Sequence, residues 1–209
     1  MDVRVRGSAM ATDEATLRTM GQMCVRYASG DAWAQVLAYV TLIPVAWVPF
    51  HAGWVAARRE LQSLLVFVGV FCNEAVSTTL KTLVRQPRPS GCHALDVCHS
   101  FGFPSSHASL MFFLTGYAWM RLRTSTLSRA EACIMLLCAP AAALVAYSRV
   151  YLGYHTTDQV VAGAVLGTFH GVLWHGLVHD ADTRYPSLAH TQWYRLLDLR
   201  SVHAAASTR

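Results

Sequence analysis

The chain has 209 residues, of which 54% are hydrophobic and only 14% are charged. Soluble globular domains carry about 25% charged residues, so this composition favours an integral membrane protein. The formal net charge is +5, but the basic residues form short clusters between apolar stretches and no continuous basic face, which argues against a nucleic-acid-binding protein.

Five apolar stretches predict an all-α, polytopic transmembrane helical bundle of about five spans. An α-helix rises about 1.5 Å per residue, so most of them can cross a hydrocarbon core of about 30 Å with their flanking residues. They are residues 33–55, 61–81, 105–122, 131–148 and 157–178. We expect residues 1–30 to be a non-membrane segment, 31–180 the membrane domain and 181–209 a cytoplasmic tail.

Small residues on the last stretch, Gly163, Gly167 and Gly171, are expected to let a neighbouring helix approach closely. The short, arginine-bearing loops 56–60 and 121–130 would share one side of the membrane. The excess of basic residues in cytoplasmic loops predicts that this side is cytoplasmic.

On that orientation, the loop 82–104 and the turn 149–156 lie on the luminal side. The N-terminal arginines would then be luminal as well, which argues against it. Cys92 and Cys98 in the long loop would be able to form a disulfide in an oxidising compartment.

Three polar clusters occur at the ends of predicted helices on this luminal side. In the first, Lys81 ends the second span and Arg88 follows seven residues later. Arginine binds phosphate in a bidentate manner and lysine acts as a point charge, so the pair suits an oxyanion. Basic residues at a helix end also commonly just anchor it at the interface, and this cluster alone does not separate the two interpretations.

The second cluster opens the third span with Pro104, Ser105, Ser106 and His107. A helix start offers free backbone N–H groups to an anion, and His107 follows one turn inside. A simple serine cap with an interfacial histidine is the alternative.

The third cluster places Arg149 and His155 around the turn before the last span. An arginine beside an apolar span is costly unless it has an anionic partner or faces the bundle interior. A neutral imidazole next to a phosphate site is a candidate nucleophile. His155 and Asp158 would also make half of a metal site, but no third ligand lies at helical spacing, so we predict no metal and no cofactor.

Taken together, the order Lys-x6-Arg-Pro, Pro-Ser-x-His and Ser-Arg-x5-His resembles the tripartite signature of the type 2 phosphatidic acid phosphatase superfamily. The resemblance covers residues 73–167 and is greatest to its dolichyl diphosphatase branch. It implies that His155 attacks phosphorus and that His107 protonates the leaving group, without a metal. It also implies the residues that bind the phosphate: Lys81, Arg88, Ser105, Ser106 and Arg149.

The chain departs from the broad superfamily at two positions. Ser106 stands where the common motif has glycine, and Gln159 stands where it has an aspartate behind the nucleophilic histidine. Both fit the dolichyl diphosphatase branch, whereas Asp158 has no counterpart. Inside the second span, Asn73 and Glu74 are candidate supporting residues, and Glu74 lies two turns from Lys81. Pairing with a phosphate-binding cation, orientation of a histidine and a role in bundle packing remain open for it.

The expected function is hydrolysis of a polyprenyl (dolichyl) diphosphate by a multi-pass membrane enzyme of the endoplasmic reticulum, in support of dolichol recycling for protein glycosylation. Its expected partners are the lipid substrate and the membrane, with no nucleic acid. The alternatives are a phosphatase for another lipid phosphate, such as phosphatidate, and a non-catalytic membrane bundle.

Overall fold

The computed structural model describes residues 17–20, 25–92, 95–125 and 127–184. In this part of the chain six α-helices follow a two-stranded antiparallel sheet of β1 (Leu17–Met20) and β2 (Val25–Ala28), in which Leu17 pairs with Ala28 and Met20 with Val25. The helices are α1 (Ala32–Val40), α2 (Ile43–Arg58), α3 (Leu61–Val84), α4 (Ser106–Thr124), α5 (Arg129–Tyr151) and α6 (Thr157–Arg184). The all-α prediction is confirmed, while the hairpin within the expected N-terminal non-membrane segment was not predicted. The expected tail begins within α6, and its residues 185–209 lie outside the described ranges.

Within the described residues, four helical segments are long and apolar enough to cross a membrane: Ala32–Arg58, Leu61–Val84, Arg129–Tyr151 and Thr157–His179. The first combines α1 and α2. The predicted span 105–122 corresponds to α4, which has 19 residues and is not among the four. Helix α4 packs against α3, α5 and α6, so much of its surface is covered by protein and does not have to be apolar.

Helices α4 and α6 run parallel and pack most extensively of all the pairs. Gly163, Gly167 and Gly171 recur every four residues and therefore share one face of α6. A Cβ atom at any of the three would collide with a backbone carbonyl of α4, at Ser105, Ser109 and Phe113 in turn. The predicted role of these glycines in close helix approach is confirmed.

The first predicted span is divided into two helices. Helix α1 ends at Val40 and α2 begins at Ile43, with Pro44 in the first turn of α2. The proline ring fixes a helical φ and lacks an N–H, which suits the first turn of a helix. Helix α1 packs against α5 and β2. A cluster of apolar residues at that end joins Val25 and Leu37 to Leu95, Leu152 and Tyr154. The N-terminal strand β2 therefore lies at the end of the bundle where α5 ends and α6 begins.

Candidate active site

The three polar clusters of the sequence meet at one end of the bundle. The C-terminal ends of α3 and α5 and the N-terminal ends of α4 and α6 lie there, and residues 85–105 connect α3 to α4. Two backbone hydrogen bonds fix this connection, from Gly102 N to Gln86 O (2.8 Å) and from Ser105 N to Gln159 O (3.0 Å). The loop thus binds to the first turn of α6, and residues distant in the chain share one site.

Arg88 is held in the connection by several hydrogen bonds. Its Nη2 donates to Ser100 Oγ at 3.0 Å, and its Nη1 donates to the backbone oxygen of Tyr154 at 2.9 Å. The same Nη1 lies 3.1 Å from Nε2 of His155. The structure therefore brings together a predicted phosphate-binding arginine and the predicted nucleophile.

The ring of His155 is buried, and its contacts define its tautomer. Nδ1 lies 2.9 Å from the carbonyl oxygen of Gly102 and 3.2 Å from Oε1 of Gln159. Both oxygens only accept hydrogen bonds, so Nδ1 carries the proton and Nε2 keeps its lone pair. Burial, with the positive charges of Arg149 and Arg88, lowers the pKa of His155 to about 3. The ring is neutral at physiological pH, as a nucleophile requires.

Gln159 is fully buried behind this ring, whereas Asp158 is exposed. Its Nε2 donates to the carbonyl of Pro87 at 2.8 Å, and its Oε1 also accepts from the backbone N–H of Thr156. A Cβ atom at residue 102 would collide with the Gln159 amide, so any other residue there would displace this amide. These contacts fix the amide oxygen toward His155.

Two polar atoms at this site have no partner. Ser105 Oγ and Arg149 Nε are the buried side-chain nitrogen and oxygen atoms, among the described residues, that make no hydrogen bond. Arg149 is only 6% exposed, and no carboxylate of the described chain forms an ion pair with it. Buried donors and charges are costly when unpaired, so an anionic ligand would stabilise both residues.

Lys81 is linked to Glu74 through a serine hydroxyl. Lys81 Nζ donates to Ser106 Oγ, and Ser106 Oγ donates to Glu74 Oε1 at 3.0 Å. Thr78 Oγ1 donates to the same carboxylate oxygen at 3.3 Å. Of the roles left open for Glu74, the structure shows an indirect link to a predicted phosphate-binding cation. The hydroxyl at residue 106, where the common motif has glycine, makes this link.

His107 lies in the first turn of α4, and its side chain makes no hydrogen bond with the described part of the chain. It lies close enough to interact electrostatically with His155 and with the cations Lys81, Arg88 and Arg149. Its imidazole is therefore available to a substrate oxygen at the same site.

Asn73 makes its contacts inside the bundle, away from the predicted phosphate-binding residues. Its amide exchanges hydrogen bonds with Ser109 Oγ, its Oδ1 lies 3.2 Å from Nδ1 of His170, and Ser77 Oγ donates to Ser109 Oγ. These contacts join α3, α4 and α6 inside the bundle, and none reaches the predicted phosphate-binding residues. Interhelical polar contacts of this kind stabilise membrane bundles.

Sequence reasoning missed several residues that build the site: Thr41, Ser100, Gly102 and Tyr154. Tyr154 precedes the predicted nucleophile, and this adjacency was an available signal. Its ring centroid lies 4.2 Å from the guanidinium carbon of Arg149. Thr41 lies in the first apolar stretch, where no local pattern distinguishes it.

The predicted pairing of Cys92 and Cys98 is confirmed, since the two form a disulfide with Cα atoms 5.0 Å apart. The bond lies in the connection that also carries Arg88 and Ser100. Within the described residues no group of three or more histidine, cysteine or acidic side chains is arranged to hold a metal ion.

Comparison with known proteins agrees with this geometry. Residues 62–182 match the PAP2 superfamily. The chain is 38% identical over 169 residues to the lipid phosphate phosphatase gamma of Arabidopsis thaliana, covering 75% of this chain and 71% of the relative. It is 34% identical over 164 residues to the dolichyldiphosphatase of Saccharomyces cerevisiae, covering 74% and 67%.

The fold also resembles the crystal structure of a transmembrane PAP2-type phosphatidylglycerolphosphate phosphatase from Bacillus subtilis. The TM-score is 0.56 at 23% identity, and the match covers 74% of this chain and 79% of the other. With its membrane-spanning helices and the matched residues 62–182, this chain belongs to the PAP2 superfamily.

Proposed function

We propose that this protein hydrolyses a polyprenyl diphosphate, of the dolichyl class, to the monophosphate and inorganic phosphate. The observation that carries the proposal is the neutral His155 ring. Its Nε2 lone pair lies beside Arg88, at a site where Arg149 Nε and Ser105 Oγ are buried without partners. A phosphoryl group would supply the anion that these cations and hydroxyl lack.

In the proposed mechanism, the lone pair of His155 Nε2 attacks the terminal phosphorus. The N–P bond forms as the bridging P–O bond breaks, and the departing oxygen takes a proton from His107, whose protonated form the anionic substrate stabilises against the nearby cations. The positive charge that develops on the ring is stabilised at Nδ1–H by Gly102 O and Gln159 Oε1. His107, now neutral, then removes a proton from a water molecule. This water attacks phosphorus and the N–P bond breaks, which releases phosphate and restores neutral His155.

Three fixed cations, Lys81, Arg88 and Arg149, would stabilise the charge on the transferred group. Preorganised cations in a water-poor site provide the electrostatic stabilisation that a metal ion gives other phosphatases. The proposed reaction therefore needs no added metal or other cofactor.

A polyprenyl tail requires an apolar surface next to the site. Helices α4 and α6 begin at the site, and on their outer face an apolar groove of about 550 Å³ is lined by Phe112, Ala164, Val165, Thr168, Phe169 and Val172. A lipid whose headgroup binds at the starts of these helices would place its tail along this groove, in the bilayer. This surface is open to the bilayer, so a lipid tail fits it.

The names of the relatives suggest two candidate substrates for this protein. Several relatives at 32–34% identity, including those of human and yeast, are dolichyldiphosphatases. The relative at 38% identity is a lipid phosphate phosphatase, which keeps phosphatidate or another lipid monophosphate as the second candidate. Gln159 favours the diphosphate, because a neutral amide stabilises the developing imidazolium less than a carboxylate does and suits an easily displaced leaving group.

The proposed location is the endoplasmic reticulum membrane, with the site facing the lumen. The disulfide between Cys92 and Cys98 supports this orientation, because disulfides persist in oxidising compartments. Arg58 and Arg123 at the opposite end lie over the rings of Trp54 and Trp119, as expected of residues at a membrane interface, and basic residues near helix ends are enriched on the cytoplasmic side.

The test is phosphate release by purified protein, in the presence of EDTA, from dolichyl diphosphate, dolichyl monophosphate and phosphatidate. We expect rapid release from the diphosphate, and an acid-labile phosphoenzyme trapped by rapid quenching. His155→Ala should lose both turnover and phosphoenzyme, whereas the control Asp158→Asn should keep both. Full activity of His155→Ala, or an EDTA-induced loss that a divalent ion restores, would contradict the mechanism, and a preference for phosphatidate would favour the second candidate.

A further inference from the structure

Arg149 has its single side-chain hydrogen bond within the described residues to a threonine far away in the chain. Its Nη1 donates to Thr41 Oγ1 at 2.7 Å, and Thr41 is only 1% exposed. Thr41 ends α1, at the junction with α2. This junction precedes residues 62–182, which carry the superfamily match.

The hydroxyl of Thr41 is used differently from those of threonines inside the helices. Thr79, Thr115 and Thr124 each donate to the carbonyl four residues earlier, the usual local bond of a helical threonine. Thr41 Oγ1 instead accepts from a buried guanidinium. The break between α1 and α2 presents this hydroxyl to α5.

One face of the Arg149 guanidinium is also fixed from the N-terminal part of the chain. Its guanidinium carbon lies 4.2 Å from the centroid of the Tyr154 ring. The hydroxyl of Tyr154 accepts from the backbone N–H of Arg26, in β2, at 2.8 Å. Val25 of the same strand packs in one apolar cluster with Tyr154. The guanidinium is therefore contacted both by Thr41 and by a tyrosine that β2 holds in place.

An arginine that binds a phosphoryl group must keep its guanidinium in one orientation, because misplacement of a substrate-binding group by about 1 Å costs up to 100-fold in rate. Its long side chain has large conformational freedom when unrestrained. With Nη1 directed to Thr41 and the ring of Tyr154 on one face, the Nε and Nη2 donors, which make no hydrogen bond within the described residues, remain for a ligand.

We propose that Thr41 is a positioning residue for Arg149, and that the N-terminal segment of β2 and α1 thereby completes the phosphate-binding site. This inference rests on the proposed function, since it assumes that Arg149 binds the transferred phosphoryl group. Thr41 itself acts through Arg149 and does not touch the substrate.

The experiment measures both turnover of dolichyl diphosphate and binding of inorganic phosphate, as competitive inhibition and as the phosphate-induced rise in Tm. Thr41→Val keeps the shape of the side chain and removes the acceptor. We expect about 10-fold weaker phosphate binding and about 10-fold lower kcat/KM, the effect of one hydrogen bond to a charged group. Thr41→Ser should restore both, and Thr115→Val is the matched control that should leave both unchanged.

A double substitution tests whether Thr41 affects phosphate binding through Arg149. In an Arg149→Gln background, adding Thr41→Val should not weaken phosphate binding further. A further loss of the same size there, or wild-type phosphate binding by Thr41→Val alone, would overturn the positioning role. A wild-type protein that binds no phosphate and turns over no substrate would overturn the proposed function and this inference with it.

Discussion

At the scale of single residues, the site depends on how burial controls the charge of one imidazole. His155 is 3% exposed and lies near two guanidinium groups, so its protonated form is disfavoured by desolvation and by repulsion. The same repulsion would be relieved when an anionic phosphoryl group enters. The residue is thus neutral before attack and has cations nearby to bind the phosphate.

This lowered pKa predicts how stability depends on pH. His155 has a pKa of about 3 in the folded protein and an ordinary value of 6.5, so below pH 6.5 the unfolded state binds a proton that the folded state does not. Its contribution to stability is fully present above pH 6.5 and is lost as the pH falls toward 3. We expect the Tm of wild type to fall more steeply between pH 6.5 and 4 than that of His155→Gln, each measured in detergent. Parallel curves would contradict the buried neutral ring.

The amide of Gln159 predicts substrate preference. Gln159→Asp would place a carboxylate behind the His155 ring, stabilise the imidazolium that develops during attack and favour a poorer leaving group. We expect the ratio of monophosphate to diphosphate hydrolysis to rise, with some loss of stability because the bond from Gln159 Nε2 to Pro87 O is removed. The ratio is measured as kcat/KM on dolichyl monophosphate and diphosphate.

Asp158→Asn is the control for that substitution, since Asp158 is exposed and makes no hydrogen bond to the His155 ring. Comparable wild-type rates on the two substrates would show that the amide does not set the preference.

At the scale of elements, the active site depends on the parallel contact of α4 and α6. His107 lies in the first turn of α4, and His155 comes just before α6, so the distance between these two helices sets the distance between the histidines. The glycine face of α6 lets the α4 backbone approach without intervening side chains. Close packing of this kind is a principal source of helix association in a membrane.

Gly167→Ala should therefore destabilise the bundle. The added methyl group would collide with the carbonyl of Ser109 and with backbone atoms of Phe113, and overpacking of this kind costs about 1–3 kcal/mol. We expect a lower Tm and reduced activity. Gly176→Ala is the matched control, because nothing lies within 4 Å of a Cβ there and alanine favours the helix. Equal Tm values for the two variants would contradict the close contact.

At the scale of the whole molecule, the site, the disulfide connection and strand β2 share one end of the bundle. The other end of the bundle carries the arginines at the end of α2 and around the α4–α5 connection. The proposed orientation assigns the first end to the lumen.

Single cysteines test this orientation, in a background from which Cys24, Cys72, Cys133 and Cys138 have been replaced. In sealed vesicles with the cytoplasmic face outward, a membrane-impermeant maleimide should label Arg129→Cys at once. It should label Asp158→Cys only after permeabilisation. The reverse pattern would place the site on the cytoplasmic side. Both positions are exposed, so accessibility of the side chain does not differ between them.

The sequence by itself determined the all-α class, the helical segments to within a few residues at most ends, and the three polar clusters. Long apolar stretches and a motif order are local properties, so they can be read along the chain. The Cys92–Cys98 pairing was accessible for the same reason, since the two residues share one short loop.

The tertiary structure alone decided which atoms of those clusters meet. The tautomer of His155 depends on Gly102, 53 residues away, and the orientation of Arg149 depends on Thr41, 108 residues away. The assignment of Asn73 to a separate network and the indirect link of Glu74 to Lys81 likewise follow from packing of α3 against α4. Contacts of this range depend on how the helices pack, and no local pattern in the sequence records them.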